Sequence, residues 1–89
     1  MRAKYHELKL LWSFENDILD GLKTFEIREN ERGFQKGDLV KFKVADTRAN
    51  PSINHPIEKK TYEITYVLNG WGIKNGFVVF GIKEYADTP

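Results

Sequence analysis

Short segments of alternating apolar and polar residues are the feature that most restricts the fold of this chain. Such alternation places successive side chains on opposite faces of a β-strand, and it occurs in residues 5–11, 23–28, 38–44 and 60–68. A fifth segment, 77–82, is almost continuously apolar, which is typical of a strand covered on both faces. The sequence therefore predicts about five strands.

Only one segment has the periodicity of a helix. Residues 13–20 begin with Ser13, a suitable N-cap. The apolar residues recur at four-residue spacing: Phe14, Ile18 and Leu22. Gly21 follows where a left-handed C-cap is wanted, so we expect the helix to end there. One early α-helix without β-α-β alternation favours a mostly β (α+β) fold, a small antiparallel barrel or strongly curved sheet.

Proline- and glycine-rich segments separate these elements. Residues 46–58 contain two prolines and few apolar groups, and we expect them to form an exposed, mobile loop. Residues 69–75 are predicted to form a glycine-rich turn that carries Trp71. Gly81 lies inside the last strand, which predicts a bulge or a close approach of backbone.

Size and charge limit the classes of function. Eighty-nine residues suit a single domain spanning 1–89. Fourteen basic against thirteen acidic residues leave a formal charge of +1, so binding of a polyanion needs a local basic patch. No apolar run approaches the roughly 20 residues of a membrane span, and cysteine is absent. We therefore expect a cytoplasmic protein without membrane association.

Residues that usually hold metals or cofactors are scarce. The only histidines are His6 and His55, too few for a histidine-based metal site. His6 shares the face of Leu8 and Leu10, which predicts a partly buried, hydrogen-bonded imidazole. The sequence has no phosphate-binding loop, no dinucleotide fingerprint and no G-x-S-x-G or H-E-x-x-H motif. We expect neither a metal nor a cofactor.

The densest group of charged residues lies in 21–32. If residues 23–28 form a strand, Phe25 and Ile27 are expected to point to the core. The opposite face then carries Thr24, Glu26 and Arg28. Such a face is typical of a recognition site, and equally of an edge strand that keeps itself soluble. Glu26 and Arg28 lie two residues apart on this face and can pair. In the second interpretation they form a surface salt bridge worth under ~1 kcal/mol.

Four residues of this stretch reproduce the spacing G-x-K-x-x-E-x-R: Gly21, Lys23, Glu26 and Arg28. This spacing resembles the signature of the ASCH domains, relatives of the PUA domains. The wider sequence resembles a small bacterial and phage subgroup of that superfamily, itself of unknown function. The matching segments are H-E-L-K at 6–9, G-x-K-T-F-E-I-R-x-N at 21–30, F-Q-x-G-D at 34–38 and V-V-F-G-I at 78–82.

The resemblance implies a PUA-like antiparallel β-barrel whose motif lines a cleft beside the first helix, and it implies binding of RNA or a nucleotide. One ASCH branch hydrolyses the amide of N4-acetylcytidine with a lysine and a threonine of this motif. Lys23 matches that lysine, but Glu26 stands where the nucleophilic threonine is expected, and Thr24 is misplaced. We therefore assign no catalytic residue and expect a binding domain. The alternatives are a hydrolase of a modified nucleoside and a protein-interaction accessory module.

The candidate ligand-binding residues are polar groups of this stretch and both tryptophans: Lys23, Glu26, Arg28, Asn30, Arg32, Trp12 and Trp71. Arginine offers a planar fork and lysine a mobile charge, so Arg28 and Lys23 are expected to hold a phosphate or a base edge. Glu26 either accepts a hydrogen bond from a base or orients Lys23. Asn30 either extends this surface with Arg32 or caps a turn. Each tryptophan either stacks on a base or covers an end of the barrel.

Overall fold

Five β-strands dominate the computed structural model, which describes residues 4–11, 14–45 and 56–86. The strands are β1 (Tyr5–Leu11), β2 (Phe25–Glu29), β3 (Leu39–Ala45), β4 (Tyr62–Leu68) and β5 (Phe77–Glu84). The helix α1 (Glu15–Leu19) precedes β2, and a 3₁₀ helix (Pro56–Lys59) precedes β4. The strands form one sheet in the order β1-β3-β4-β5-β2, curled into a half-barrel. The mostly β fold with one early α-helix is confirmed.

The sheet is mixed rather than purely antiparallel. The pairs β2–β5, β3–β4 and β4–β5 are antiparallel, whereas β1 runs parallel to β3, with Leu8 opposite Phe42. A parallel pair needs a crossover connection, and the chain between β1 and β3, which contains α1 and β2, provides it. The predicted antiparallel arrangement therefore holds for three of the four pairs and not for β1–β3, because alternation within a strand carries no information about its neighbour.

The inner face of the sheet carries the core. In β1 the predicted alternation is confirmed, since Leu8 and Leu10 are buried and Glu7 and Lys9 are exposed. β3 and β5 supply six further buried residues: Val40, Phe42, Val44, Val78, Phe80 and Ile82. Each such side chain stabilises the fold by about 1.5–3 kcal/mol relative to an exposed position. The alternating pattern of these strands is therefore explained by burial of one face.

The outer face of β5 is less covered than the sequence predicts. Its apolar run predicted a strand covered on both sides, but Phe77 and Val79 on the outer face are only half-buried. No helix packs there among the described residues, because α1 contacts the 3₁₀ helix instead. The outer face of this part of the sheet is therefore apolar and partly open.

α1 is shorter than the sequence predicts. It ends at Leu19, and Gly21 follows in the left-handed conformation (φ 77°), as expected. Of the three apolar residues at four-residue spacing only Ile18 is buried, whereas Phe14 and Leu22 are exposed. Five residues make little more than one helical turn, and α1 places Ile18 in the core with Leu19 packed against it. The expected N-cap at position 13 lies outside the described residues. No helix in the described ranges has the length and apolar character needed to cross a bilayer.

The end of the predicted loop 46–58 is structured. In the 3₁₀ helix Ile57 is buried in the core, and Glu58 Oε2 accepts a hydrogen bond from the backbone N–H of Val44 at 2.8 Å. The expectation of an exposed loop was therefore wrong for residues 56–58, since one large apolar residue docks this turn on β3. The rest of that prediction, residues 46–55, lies outside the described part of the chain.

A buried His6–Asp38 pair ties β1 to the start of β3. The Nε2 of His6 donates to Oδ2 of Asp38 at 2.8 Å, and the same carboxylate accepts from the backbone N–H groups of Lys4 at 3.1 Å and Gln35 at 3.0 Å. Burial raises the pKa of Asp38, but the hydrogen bonds from His6 and the two backbone groups outweigh it, so the pKa lies below its ordinary value of 3.8. The expectation of a buried, satisfied imidazole is confirmed.

Gly81 lies opposite a bulge in β4. The register shifts between Ile64 and Tyr66, which makes Thr65 the extra residue. A Cβ on Gly81 would lie 2.7 Å from the Thr65 Oγ1, closer than non-bonded atoms approach. The predicted bulge is therefore present, in β4 opposite Gly81, whereas the close contact is with a side chain and not with backbone.

Gly81→Ala is expected to lower the free energy of unfolding by about 1–3 kcal/mol, because the added methyl group displaces the Thr65 side chain from a packed position. Urea unfolding measures the change. In a Thr65→Ala background the same substitution should cost less, since the overlapping atom is gone. An equal cost in both backgrounds would contradict this explanation.

Candidate ligand-binding site

β2 faces the opposite way from its expected orientation. Glu26 is 4% exposed, whereas Phe25 is 43% and Ile27 57% exposed. Arg28 shares the inner face with Glu26 and is half-buried. The prediction that Phe25 and Ile27 point into the core was therefore wrong. The charged residues of the motif lie on the inside of the half-barrel.

The register with β5 determines this orientation. Glu26 lies opposite Phe80, and Arg28 lies opposite Val78. Both β5 residues belong to the core, and directly opposed residues of an antiparallel pair share a face. Pairing with β5 therefore places a carboxylate on the inner face, where it is stable only if other groups compensate its charge.

Two cations hold the Glu26 carboxylate. Arg28 donates to Oε1 from Nε at 3.0 Å and from Nη2 at 2.8 Å, and Lys23 donates from Nζ to Oε2 at 2.5 Å. A buried carboxylate needs such partners, since an unpaired charge is costly to remove from water. The pairing of Glu26 with Arg28 expected from their spacing is present. Glu26 orients both cations, and the group is more buried than a surface salt bridge.

Lys23 lies between two phenyl rings. Its Nζ is 5.0 Å from the ring centroids of both Phe14 and Phe25, within the roughly 6 Å of a cation–π contact. It also donates to the carbonyl oxygen of Phe25 at 3.0 Å. Phe14 precedes α1 and Phe25 begins β2, so the turn at Gly21 folds one ring back towards the other. The helix and its glycine cap therefore help to position the lysine.

Two arginines bridge the edges of the sheet. β1 and β2 are the edge strands, and edge strands leave backbone groups unpaired. Arg28 Nη2 donates to the carbonyl oxygen of Lys9 at 2.9 Å, and Arg32 Nη1 donates to that of Glu7 at 2.9 Å. Side chains from β2 and the following turn thus satisfy two carbonyl groups of β1. The motif lies at the gap where the half-barrel stays open.

A cavity of about 340 Å³ opens at this gap. Its polar lining consists of Lys9, Lys23, Glu26 and Arg28. Its apolar lining consists of Leu10, Phe14, Phe25 and Ile27. Three cations against one carboxylate give the cavity a net positive charge. Its size falls within the range of about 300–1,000 Å³ typical of small-molecule sites, and its lining suits an anionic ligand with an apolar, planar part.

Asn30 and Arg32 lie beside the cavity rather than in it. The Oδ1 of Asn30 accepts a hydrogen bond from the backbone N–H of Phe34 at 2.9 Å, which is the turn-capping geometry considered above. Arg32 is held at β1 and lines a separate depression together with Arg28. Neither side chain lines the cavity, so a role in binding there would be indirect.

Of the two tryptophans, Trp71 lies in the described part of the chain and does not line the cavity. Trp71 is 91% exposed in the turn between β4 and β5, with a left-handed φ of 54°. It therefore does not cover an end of the barrel. Trp12 lies outside the described residues. Of the seven candidate residues, the structure brings Lys23, Glu26 and Arg28 together around one cavity.

Sequence reasoning did not assign Lys9 or Phe14 to the site. Lys9 was expected only on the solvent face of β1, and Phe14 on the core face of the helix. Curling of the sheet brings β1 next to β2 and places both side chains at the cavity. This proximity joins elements that are not hydrogen-bonded neighbours, so no local pattern in the sequence reveals it.

The described lining of the cavity consists of charged and apolar side chains. Its lining as described contains no hydroxyl, thiol or imidazole, and Thr24 lies in a different depression, beside Tyr62 and Ile82. The Lys23 ammonium is engaged by Glu26 and the Phe25 carbonyl oxygen. Within the described ranges, no cluster of three or more metal-ligating side chains occurs. The arrangement supplies charge and hydrogen-bond donors.

Comparison with known proteins identifies one family. A family model described as a domain of unknown function (DUF3850) matches residues 5–82. This span includes every residue that lines the cavity. No curated protein matches the chain.

Proposed function

The chain belongs to the DUF3850 family, a domain of unknown function, and we propose that its cavity between β1 and β2 binds a phosphate-bearing nucleotide or single-stranded RNA. The family description states no activity. The cavity itself supports the proposal. We further propose that the domain is an ASCH domain of the PUA-like superfamily. The order of its matching segments and the small, mostly β fold support that assignment.

Spare hydrogen-bond donors are the observation that carries the proposal. An arginine has five N–H donors and a lysine three. Arg28 uses three on Glu26 and Lys9, all from Nε and Nη2, which leaves Nη1 without a partner in the described part of the chain. Lys23 uses two. The cavity therefore offers charged donors to a ligand rich in acceptors, and a phosphate group fits that description.

The apolar wall supplies a surface for a base. Phe14 and Phe25 line the cavity and are both exposed. Every nucleobase has a planar face that can stack on an aromatic ring. Cationic donors next to two exposed aromatic rings are therefore the combination expected in a site for a nucleotide rather than in one for inorganic phosphate alone.

Arg28→Ala is expected to weaken binding of uridine monophosphate or a short single-stranded RNA by more than about tenfold, since a charged hydrogen-bonding group contributes about 1.5–3 kcal/mol. Calorimetric titration at low salt measures the dissociation constant of each variant. Arg32→Ala is the matched control, because Arg32 also donates to a β1 carbonyl group but does not line the cavity.

Salt dependence distinguishes the two ligand classes. An RNA that contacts several phosphates should lose affinity steeply as salt rises, whereas a mononucleotide should not. No binding to any nucleotide or RNA at low salt, or equal affinities for the two arginine variants, would refute the proposal.

A hydrolase acting on a modified nucleoside remains the alternative from the motif resemblance. It needs Lys23 and Glu26 as an acid–base pair, and the cavity beside them gives a substrate access. Turnover of an acylated cytidine by the wild-type protein, lost in a folded Lys23→Ala variant, would replace the binding proposal with this one.

A further inference from the structure

The outer face of the sheet presents a row of side chains across three strands. Phe25 on β2 and Tyr66 on β4 both lie opposite Gly81 on β5. Phe25 is 43% and Tyr66 64% exposed. The adjacent row adds Ile27, Val79 and Leu68. These two rows form the outer platform.

The row through Gly81 has the spacing of a stacking site. Neighbouring strands lie about 4.8 Å apart. The backbone positions of Phe25 and Tyr66, two strands apart, are therefore separated by about 9–10 Å. Aromatic rings prefer centroid separations of about 4.5–7 Å, so a planar ring held between two others needs about 9–14 Å. Gly81 adds no side chain between them. The Thr65 hydroxyl stands over it and offers one polar group on this floor.

The platform is continuous with the cavity. Phe25 and Ile27 line the cavity and also belong to the outer platform. The cavity attracts an anion, and the platform attracts planar apolar groups. Lys74, with its Nζ 5.3 Å from the ring centroid of Phe77, adds a cation at the end of β5 that adjoins the second row. A ligand in which anionic and planar groups alternate along one chain matches this arrangement, and a nucleic-acid strand is such a ligand.

On the basis of the proposed function, we infer that the ligand is single-stranded RNA longer than one nucleotide. One phosphate lies in the cavity at Arg28, and the base of a neighbouring nucleotide lies between Phe25 and Tyr66. Stacking tolerates any base sequence, so the platform contributes affinity without base selection. The acidic groups bordering it are Glu29 at the end of β2 and Glu63, which lies opposite Lys83.

A second copy of the chain is the competing occupant of the platform. In a two-fold dimer the same patch faces itself, and the two rows of the platform contain no acidic residue that could neutralise the cavity cations. RNA phosphates neutralise these cations instead. The charge of the adjoining cavity therefore favours RNA.

Binding of hexauridylate to variants of Tyr66 tests the inference by fluorescence anisotropy. Tyr66→Ala is expected to weaken binding about tenfold, as for the loss of one stacked base, and Tyr66→Phe should retain most of the affinity because the ring remains. Tyr5→Ala is the matched control, since Tyr5 is a similarly exposed tyrosine (59%) on β1. It should bind like the wild type.

The outcomes separate this inference from the proposed function. If Tyr66→Ala and Tyr5→Ala bind hexauridylate equally well while Arg28→Ala still weakens binding, the inference is overturned and the proposed function stands. If the wild type binds neither uridine monophosphate nor hexauridylate, the proposed function fails as well. A wild-type dimer seen by light scattering that Tyr66→Ala dissociates would assign the platform to a second copy and overturn the inference.

Discussion

Replacing Glu26 with alanine is expected to lower the free energy of unfolding by about 3 kcal/mol and to weaken ligand binding. The substitution removes the acceptor of three charged hydrogen bonds. It leaves Lys23 and Arg28 as neighbouring positive charges beside the core. Breaking a buried ion pair by removing one partner costs about 3–5 kcal/mol. Urea unfolding measures the stability, and titration with the nucleotide measures the binding.

The lower end of that range applies because the cations keep some contact with water. The side chains of Lys23 and Arg28 are 20% and 25% exposed, against 5% for Glu26. Both can turn outward once the carboxylate is gone, which recovers part of their hydration. Glu26→Gln keeps one of the two acceptor oxygens and loses the charge, so it should cost less than the alanine variant.

Glu29→Ala is the control for the Glu26 prediction, because Glu29 lies on the same strand but is exposed. Its removal should change the stability by less than about 0.5 kcal/mol, as is usual for surface substitutions. If Glu26→Ala costs under ~1 kcal/mol, the group behaves as an ordinary surface salt bridge. The cavity cations would then not depend on Glu26 for their positions.

Asp38→Asn is expected to lower the free energy of unfolding at neutral pH by about 2–3 kcal/mol. The carboxylate accepts three hydrogen bonds, from His6, Lys4 and Gln35. An amide cannot accept all of them, and a hydrogen bond to a charged group contributes about 1.5–3 kcal/mol. Unfolding curves of the wild type and of Asp38→Asn at neutral pH give this difference in free energy. Asp20→Asn is the matched control, because the Asp20 side chain is exposed.

The pH dependence gives a second measurement on the same variant. The pKa of Asp38 in the folded protein lies below its ordinary value of 3.8. The stabilisation from this group is therefore complete above that value and is lost as the pH falls through the folded pKa. The stability difference between wild type and Asp38→Asn should shrink as the pH is lowered from neutral to values below 3.8. A difference that stays constant over this interval would contradict the assignment of the hydrogen bonds to an ionised carboxylate.

Local features of the fold were predictable because each depends on a few neighbouring residues. The alternation in β1 identified Leu8 and Leu10 as buried, and Gly21 and Gly81 marked a left-handed turn and a bulge. The same reasoning was wrong for β2. Phe25 and Ile27 were assigned to the core because apolar residues usually take the inner face, but pairing with β5 gave that face to Glu26.

The sequence by itself determined the five strands, the early helix and the presence of the charged motif, because hydrophobic period and turn chemistry act over a few residues. Only the tertiary structure decided that the motif faces inward. It also decided that Lys9 and Phe14 join the motif, and that Arg28 spans the gap to β1. The physical reason is that a buried carboxylate is stable only when its charge is compensated. Lys23 and Arg28 compensate Glu26 from the same segment, but the inner face that buries it and the bridge from Arg28 to β1 exist only after the strands have paired and the sheet has curled.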